Sequence, residues 1–286
     1  MKRGLKPRLP AVSGIFYPND PSELEKIVEE SFIDKRFGPG KLPPATTEKK
    51  IYGIVSPHAG YSYSGSIAAN GFYYISNMDF NTVIITGPNH YGIGSGVATM
   101  RDSIWKTPLG DIEVNNNLAD QIAKNSSVID VDDFAHSRDH CLEVQLPFLQ
   151  YSRKSKQFRI VPIILMLQDI ETARDIGNAI ARSTIHNNNN ILLIASSDFT
   201  HYEPNNEAHR KDSELINAIL SLDIISFYSI LERLNVSACG YGAIASIMTA
   251  VKALGAKKGE LLRYATSGDV TGDTGSVVGY SSIVFV

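Results

Sequence analysis

Apolar residues along this chain form short continuous runs, which alternate with longer stretches where apolar residues recur at helical spacing. The strand-like runs cover residues 51–55, 82–86, 159–165, 191–195, 261–266 and 277–286. Several of them lead directly into turns of glycine, proline, serine or histidine. Continuous apolar runs of this length are typical of strands that are buried on both faces of a mainly parallel sheet.

Helical spacing fills the intervals between these runs. The predicted helices cover residues 22–32, 66–75, 118–124, 170–182, 207–220, 224–234 and 241–254. Strands that alternate with helices predict an α/β fold with a mainly parallel, mixed sheet covered by helices on both faces. Because no internal repeat or break in composition divides the chain, we expect a single domain over residues 1–286, with 1–9 as a loose N-terminal segment.

Composition and charge narrow the classes of function. Hydrophobic residues make up 43% of the chain and charged residues 20%, as in globular proteins. The formal net charge of −3 offers no basic surface for a nucleic acid. The start of the sequence lacks the apolar stretch of a signal peptide, and no run approaches the roughly 18 apolar residues of a membrane span. We therefore expect a cytoplasmic protein that binds neither nucleic acid nor a membrane.

Residues with catalytic or metal-binding chemistry follow three of the predicted strands. His58 follows the first run, His90 follows the second, and Asp198 and His201 follow the fourth. In open α/β sheets, ligands bind beyond the carboxyl ends of the strands. A single histidine in such a place often only caps a turn, but imidazole or carboxylate groups at three separate strand ends predict one shared site.

The stretch 132–147 adds a further pair of polar residues. If the stretch is helical, His140 and Glu143 lie three residues apart on one polar face, where they join the site or orient a ligand. The alternative is a solvated face with a local ion pair. Pro147 is expected to kink or end this helix.

The two cysteines, Cys141 and Cys239, have unrelated surroundings and are interpreted as individual thiols in a reducing compartment. Cys239 comes just before the predicted helix 241–254. There the positive end of the helix macrodipole is expected to lower the thiol pKa and favour the thiolate, a good metal ligand. The alternative is a buried and inert thiol.

Taken together, these residues give the chain a specific resemblance. The sequence resembles the Memo family from about residue 10 onward, with its motifs in family order. The matching stretches are 14–18 (GIFYP), 57–65 (PHAGYSYSG), 87–90 (GPNH), 140–147 (HCLEVQLP), 196–202 (SSDFTHY) and 239–240 (CG). In this family a histidine-rich or small-residue segment usually precedes the first stretch. Residues 11–13 differ from that segment, so the resemblance assigns no metal ligand near the N-terminus.

The resemblance implies a fold similar to that of class III extradiol dioxygenases, whose iron is held by two histidines and a carboxylate. In Memo-like proteins the corresponding ligands match His58, His90 and Cys239 here. Asp198 and His201 match nearby pocket residues, and we expect them to act as catalytic acid and base. Two imidazoles and a thiolate favour iron or copper, with zinc as the alternative, over magnesium or calcium.

The resemblance also implies partners and leaves three functions open. The founding member of the family is a mediator of receptor-driven cell motility, and peptide binding has been ascribed to family members. Bacterial and archaeal relatives are often found beside a radical-SAM protein and an AMMECR-type protein, as in the AmmeMemoRadiSam system. The three functions are a metal-dependent redox protein, a zinc-dependent hydrolase, and a module that binds a peptide or partner protein in a vestigial enzyme pocket.

Overall fold

The predicted alternation of strands and helices is present in the structure, a computed structural model that describes residues 4–45, 49–153, 156–185 and 190–286. The helices are α1 (Pro21–Ile33), α2 (Tyr61–Ile75), α3 (Asn116–Asn125), α4 (Leu146–Ser152), α5 (Ile170–Thr184), α6 (Asn205–Leu220), α7 (Ile224–Leu234), α8 (Tyr241–Leu254) and α9 (Ser267–Thr271). Among the described helices, none combines the length and apolar character that a membrane span requires.

The strands assemble into one large sheet and one small sheet. They are β1 (Lys6–Arg8), β2 (Gly53–Ser56), β3 (Thr82–Pro88), β4 (Val97–Thr99), β5 (Ser103–Thr107), β6 (Gly110–Glu113), β7 (Asp130–Val131), β8 (Arg159–Leu165), β9 (Ile191–Ser196), β10 (His201–Glu203), β11 (Gly259–Thr266) and β12 (Val277–Phe285). The large sheet has the order β10-β12-β2-β9-β3-β8-β4-β7, and β11 pairs with β12.

The centre of the large sheet is parallel and its flanks are mixed. Strand β9 runs parallel to both β2 and β3, and β3 runs parallel to β8. Strands β12 and β4 join antiparallel to β2 and β8, respectively. The prediction of a mainly parallel, mixed sheet is therefore confirmed.

Alternate residues of the central strands point to opposite faces of the sheet, and both faces are covered. Ile54 and Ile85 pack with α1, α2 and α4, whereas their chain neighbours Val55 and Ile84 pack with helices α3 and α5 to α8. All four side chains are fully buried. Burial of both faces explains why these strands read as continuous apolar runs, and it makes the chain a single α/β domain.

The N-terminal segment differs from the prediction of a loose stretch over residues 1–9. Lys6–Arg8 pairs in parallel with β5, in the three-stranded sheet β1-β5-β6. Arg8 is buried and forms an ion pair with the buried Glu143. The expectation is corrected for residues 6–8, because this distant counter-charge fixes the strand; residues 1–3 lie outside the described part of the chain.

The stretch 132–147 is also not the helix that was considered. It contains two short 3₁₀ turns, Phe134–His136 and Glu143–Gln145, and helix α4 begins only at Leu146. Pro147 lies in the first turn of α4, so it begins a helix and does not end one. Proline suits this place because its fixed φ is helical and its missing N–H is not needed there.

Candidate metal centre

Sheet order explains how residues far apart in the sequence meet. Strands β2, β9 and β3 are neighbours in the sheet, so the loops that leave their carboxyl ends share one edge. His58 follows β2 and His90 follows β3, while Cys239 comes from the connection between α7 and α8. One ligand atom from each of these residues lies within 4.8 Å of the other two, and Nε2 of His58 is 3.1 Å from Sγ of Cys239.

Hydrogen bonds fix which nitrogen of His58 carries the proton. The hydroxyl of Ser196 donates its single hydrogen to the carbonyl oxygen of Cys141 at 2.6 Å. Its oxygen accepts the amide of Gln145 at 2.8 Å and therefore also accepts from Nδ1 of His58 at 3.0 Å. Nδ1 is thus protonated, and the lone pair of Nε2 points toward the sulfur. His58, Ser196, Gln145 and Cys141 are buried, whereas Cys239 is partly exposed.

Asp139 orients His90 in the same way. Its carboxylate oxygens lie 3.1 and 3.2 Å from Nδ1 of His90, and it also accepts the backbone N–H of His90 at 2.7 Å. Burial favours a raised pKa for Asp139, but the hydrogen bonds and charge of His90, aided by the N–H of Cys141, hold its pKa well below the usual range. A carboxylate that fixes one ring nitrogen leaves Nε2 free to bind a metal.

His140 forms one wall of the site. Its ring stacks on His90 with the centroids 4.7 Å apart, and it meets the ring of His58 edge-on at 5.4 Å. Phe16, from the N-terminal segment, covers His140 at 4.7 Å. Burial, followed by the neighbouring His90, lowers the pKa of His140 to about 4, so its imidazole is neutral at neutral pH.

Cys239 is held against the end of β9 by a close backbone approach. The N–H of Asp198 lies 3.3 Å from its sulfur. The next residue, Gly240, passes so close to β9 that a Cβ there would lie 2.5 Å from the carbonyl oxygen of Ser196. Glycine is therefore required at this position.

The expectation that the helix terminus lowers the pKa of Cys239 is corrected by its surroundings. Burial, and then the charge of Asp198, raise the pKa of the thiol. In the metal-free protein, Cys239 is accordingly a thiol beside an unprotonated imidazole nitrogen.

Asp198 and His201 occupy different environments. Asp198 is buried, accepts the N–H of His58 at 2.8 Å, and has an oxygen 4.0 Å from Nε2 of His58. Burial raises the pKa of Asp198 to about 6. His201 is partly exposed, and its Nδ1 lies 2.9 Å from the carbonyl oxygen of Ser237, so its Nε2 carries the free lone pair.

The loop that carries Asp198 and His201 is held by a buried carboxylate that sequence reasoning missed. Asp212 accepts the hydroxyl of Thr200 at 2.6 Å, the backbone N–H of Thr200 at 3.1 Å, and the hydroxyl of Tyr264 at 2.7 Å. These bonds anchor Thr200, which directly precedes His201. No local pattern marks Asp212, because it lies inside the regular helix α6.

Glu143 does not belong to the metal-binding cluster. It is fully buried, and its hydrogen-bond partners among the described residues are Arg8, Tyr17 and the N–H groups of Ala11 and Val12. Both sequence interpretations of Glu143 are therefore corrected: its ion pair is neither local nor solvated, and its carboxylate holds the N-terminal segment. It reaches the site only indirectly, because that segment carries Phe16.

Comparison with known proteins shows to which family this chain belongs. The profile of the family described as Memo-like protein matches residues 8–284. The chain belongs to the Memo family. A MEMO1 family protein of Nitrosopumilus maritimus is 52% identical over 279 residues, which cover 98% of this chain and 99% of that protein. A MEMO1 family protein of Methanopyrus kandleri is 48% identical over 280 residues, covering 97% and 98% of the two chains.

A solved structure also shares the fold of this Memo family chain. The uncharacterized protein JW3007 from Escherichia coli K12 matches with a TM-score of 0.57. The match covers 83% of this chain and 100% of that one at 12% sequence identity. At this identity, the likeness shows the α/β fold alone.

Proposed function

We propose that His58, His90 and Cys239 bind a transition-metal ion, iron or copper, and that the centre serves a metal-dependent redox reaction. The observation that carries this proposal is the convergence of two imidazoles and a sulfur to within 4.8 Å of one another. Independent hydrogen bonds from the two Nδ1–H groups to Ser196 and Asp139 hold both imidazoles in place.

The donor set fits a metal ion. Nitrogen ligands lie about 2.0–2.1 Å and sulfur ligands about 2.3 Å from a tetrahedral zinc ion, which places neighbouring donor atoms roughly 3.3–3.6 Å apart. The His58–Cys239 contact of 3.1 Å is close to this spacing. Three protein ligands also leave one coordination position for a substrate, as in catalytic metal sites.

The chemistry of the donors favours a soft or borderline transition-metal ion. Thiolate and imidazole suit iron, copper and zinc, and they disfavour the hard cations magnesium and calcium. When bound, iron or copper would supply Lewis acidity and a one-electron redox couple.

Two neighbouring residues are placed to handle protons. Asp198, whose pKa is raised to about 6 by burial, exchanges a proton near neutral pH, as a general acid or base requires. Nε2 of His201 has a free lone pair, because Nδ1 donates to Ser237. We assign acid–base roles to both residues.

A second donor set shares His90 but is already satisfied. His90, Asp139 and Cys141 also bring ligand atoms within 4.8 Å of one another. However, Asp139 accepts hydrogen bonds from both His90 and Cys141, and the fully buried Cys141 donates its S–H to the carbonyl oxygen of Pro88 at 3.1 Å. This set supports His90 and does not compete for the ion.

Metal titration of matched variants tests the proposal. Cys239→Ser and His58→Ala are expected to lose at least a hundredfold in affinity for Fe²⁺ and Cu⁺, because each removes a ligand. Cys141→Ala and His209→Ala serve as controls: one removes the other thiol, and the other removes a histidine that is paired with Asp269 away from the site. If Cys239→Ser and His58→Ala bind both metals as tightly as the parent protein, the proposal fails.

Metal analysis of the parent protein distinguishes the remaining functions. Metal analysis after isolation without added metal is expected to find iron or copper, with a spectrum that changes under oxygen. Full zinc occupancy with no spectral change would favour the zinc-dependent hydrolase. Association with radical-SAM and AMMECR-type proteins, or with a peptide, remains a prediction; a partner that still binds after chelation and alanine replacement of both histidines would favour a binding module.

A further inference from the structure

Tyr202 has an unusual backbone for its residue type. Its φ is +60°, in the left-handed region. It lies in the middle of β10, where the pairing of His201 and Glu203 with β12 is interrupted by an irregularity of register. For a bulky L-residue a positive φ is an outlier, and left-handed backbone costs roughly 1–2 kcal/mol per residue.

Tyr202 differs from the other non-glycine residues that have a positive φ. The described non-glycine residues with positive φ are Asp102, Tyr202, Leu222 and Asn235. Asp and Asn tolerate this conformation because their short side chains bond locally. Leu222 is only 3% exposed, so burial of its side chain offsets the strain. Tyr202 is 80% exposed and gains no such compensation from packing.

The strained residue lies beside His201, one of the two residues assigned an acid–base role at the metal centre. The ring of Tyr202 meets the ring of His201 at 5.7 Å and 65°. Burial raises the pKa of the buried Tyr280 most, and the charges of Asp198, Tyr63 and Tyr202 add to the rise. Tyr63 lies in the first turn of α2, just after the His58 loop, and is 47% exposed.

We propose that Tyr202 is a ligand-contacting residue that determines specificity at the metal centre, and that its ring packs against a flat apolar group of the ligand. Strain that the fold does not compensate occurs where a residue serves function. A bulge beside a site also re-aims side chains. The ligand class that follows is a metal-binding head group that carries a flat apolar substituent.

This inference rests on the proposed metal centre, and two probes that share one head group test it. Acetohydroxamate and benzohydroxamate bind zinc through the same two oxygens and differ in a methyl or a phenyl group. Zinc-loaded protein, with its occupancy verified by metal analysis, is titrated calorimetrically with each probe. The variants are Tyr202→Phe, which keeps the ring, Tyr202→Ala, which removes it and keeps the strain, and Tyr202→Gly, which removes both.

The expected affinities for the two hydroxamates depend on the aromatic ring at position 202. The parent protein and Tyr202→Phe should prefer benzohydroxamate by about three- to tenfold, the range of one aromatic contact. Tyr202→Ala and Tyr202→Gly should lose this preference, with their acetohydroxamate affinity changed by less than about twofold. The melting temperature of Tyr202→Gly should exceed that of Tyr202→Ala by about 2 °C, because glycine adopts positive φ without strain.

The outcomes separate this inference from the metal centre. If zinc binds fully and all variants keep the benzohydroxamate preference, or if the parent has none, the role of Tyr202 is overturned and the metal centre stands. If Tyr202→Gly melts no higher than Tyr202→Ala, the strain argument is overturned. If the parent protein binds no zinc, iron or copper, the metal centre fails and the inference falls with it.

Discussion

Two polar clusters lie next to the segment 139–143, and they differ in how many of their polar atoms are bonded within the chain. In the cluster of Arg8, Tyr17 and Glu143, the carboxylate is bonded by a guanidinium, a hydroxyl and two backbone N–H groups. In the cluster of His58, His90 and Cys239, both Nδ1 atoms are occupied, Nε2 of His58 faces the sulfur of Cys239, and a ligand atom of His90 lies within 4.8 Å of both residues' ligand atoms.

The difference shows how structural and functional polar groups are told apart. A buried group whose bonds are all made within the chain stabilises the fold and has nothing left for a ligand. Groups that are held rigidly by one set of bonds, with converging lone pairs left over, have the arrangement of a preformed binding site. Burial of a single residue does not tell the two clusters apart, because Glu143 and His58 are both buried; as a whole, however, the cluster of His58 is more open, since His90 is exposed and Cys239 is partly exposed.

The largest effect that tests this comparison concerns the saturated cluster. Arg8→Met removes the counter-charge of Glu143 and leaves a carboxylate buried without it, which should cost about 3–5 kcal/mol of unfolding free energy. Urea unfolding measures this loss. Metal affinity of the folded variant should stay within a few-fold of the parent, because Arg8 contacts none of the three ligands and bonds Asp139 at its backbone carbonyl, not at the carboxylate that orients His90. A loss of metal binding as large as that in Cys239→Ser would show that the clusters are not separate.

A smaller effect is expected from the residues that orient the ligands. Ser196→Ala and Asp139→Ala each remove the acceptor of one Nδ1–H and should weaken metal binding by about 10–100-fold. In the metal-free protein, ¹⁵N chemical shifts of the imidazole rings should show mixed tautomers of His58 in Ser196→Ala and a single tautomer in the parent. Unchanged shifts together with unchanged affinity would contradict the assigned hydrogen bonds.

The smallest effect is a dependence of metal affinity on pH. Burial raises the pKa of Cys239 and lowers that of His58, so at neutral pH the thiol carries a proton and the imidazole carries no extra one. Metal binding must then release one proton, and affinity should rise about tenfold per pH unit between roughly pH 7 and 8.5. Competition titrations at fixed ionic strength measure the slope. A parent slope equal to that of Cys239→Ser would exclude the thiolate as a ligand.

The fold was predictable where the physical signal is local. Strand β8 was predicted at its observed bounds, 159–165, because a strand buried on both faces is apolar throughout. The short strands β1, β4 and β7 were missed, because runs of two or three residues carry no periodicity. Their pairing depends on partners far away in the sequence.

The site was predictable only in part, for a related reason. His58 and His90 each follow a strand, and parallel neighbours bring strand ends together, so their meeting could be inferred from position. Cys239 comes from a connection between helices and was assigned through the family resemblance. Asp139 and Ser196 were missed, because their roles depend on single hydrogen bonds to distant residues.

The most direct measurement is anomalous X-ray scattering from metal-soaked crystals at the iron, copper and zinc absorption edges. One peak is expected about 2.0–2.3 Å from Nε2 of His58, Nε2 of His90 and Sγ of Cys239. A peak bound instead by Asp139 and Cys141, or crystals that bind none of the three metals, would contradict the account.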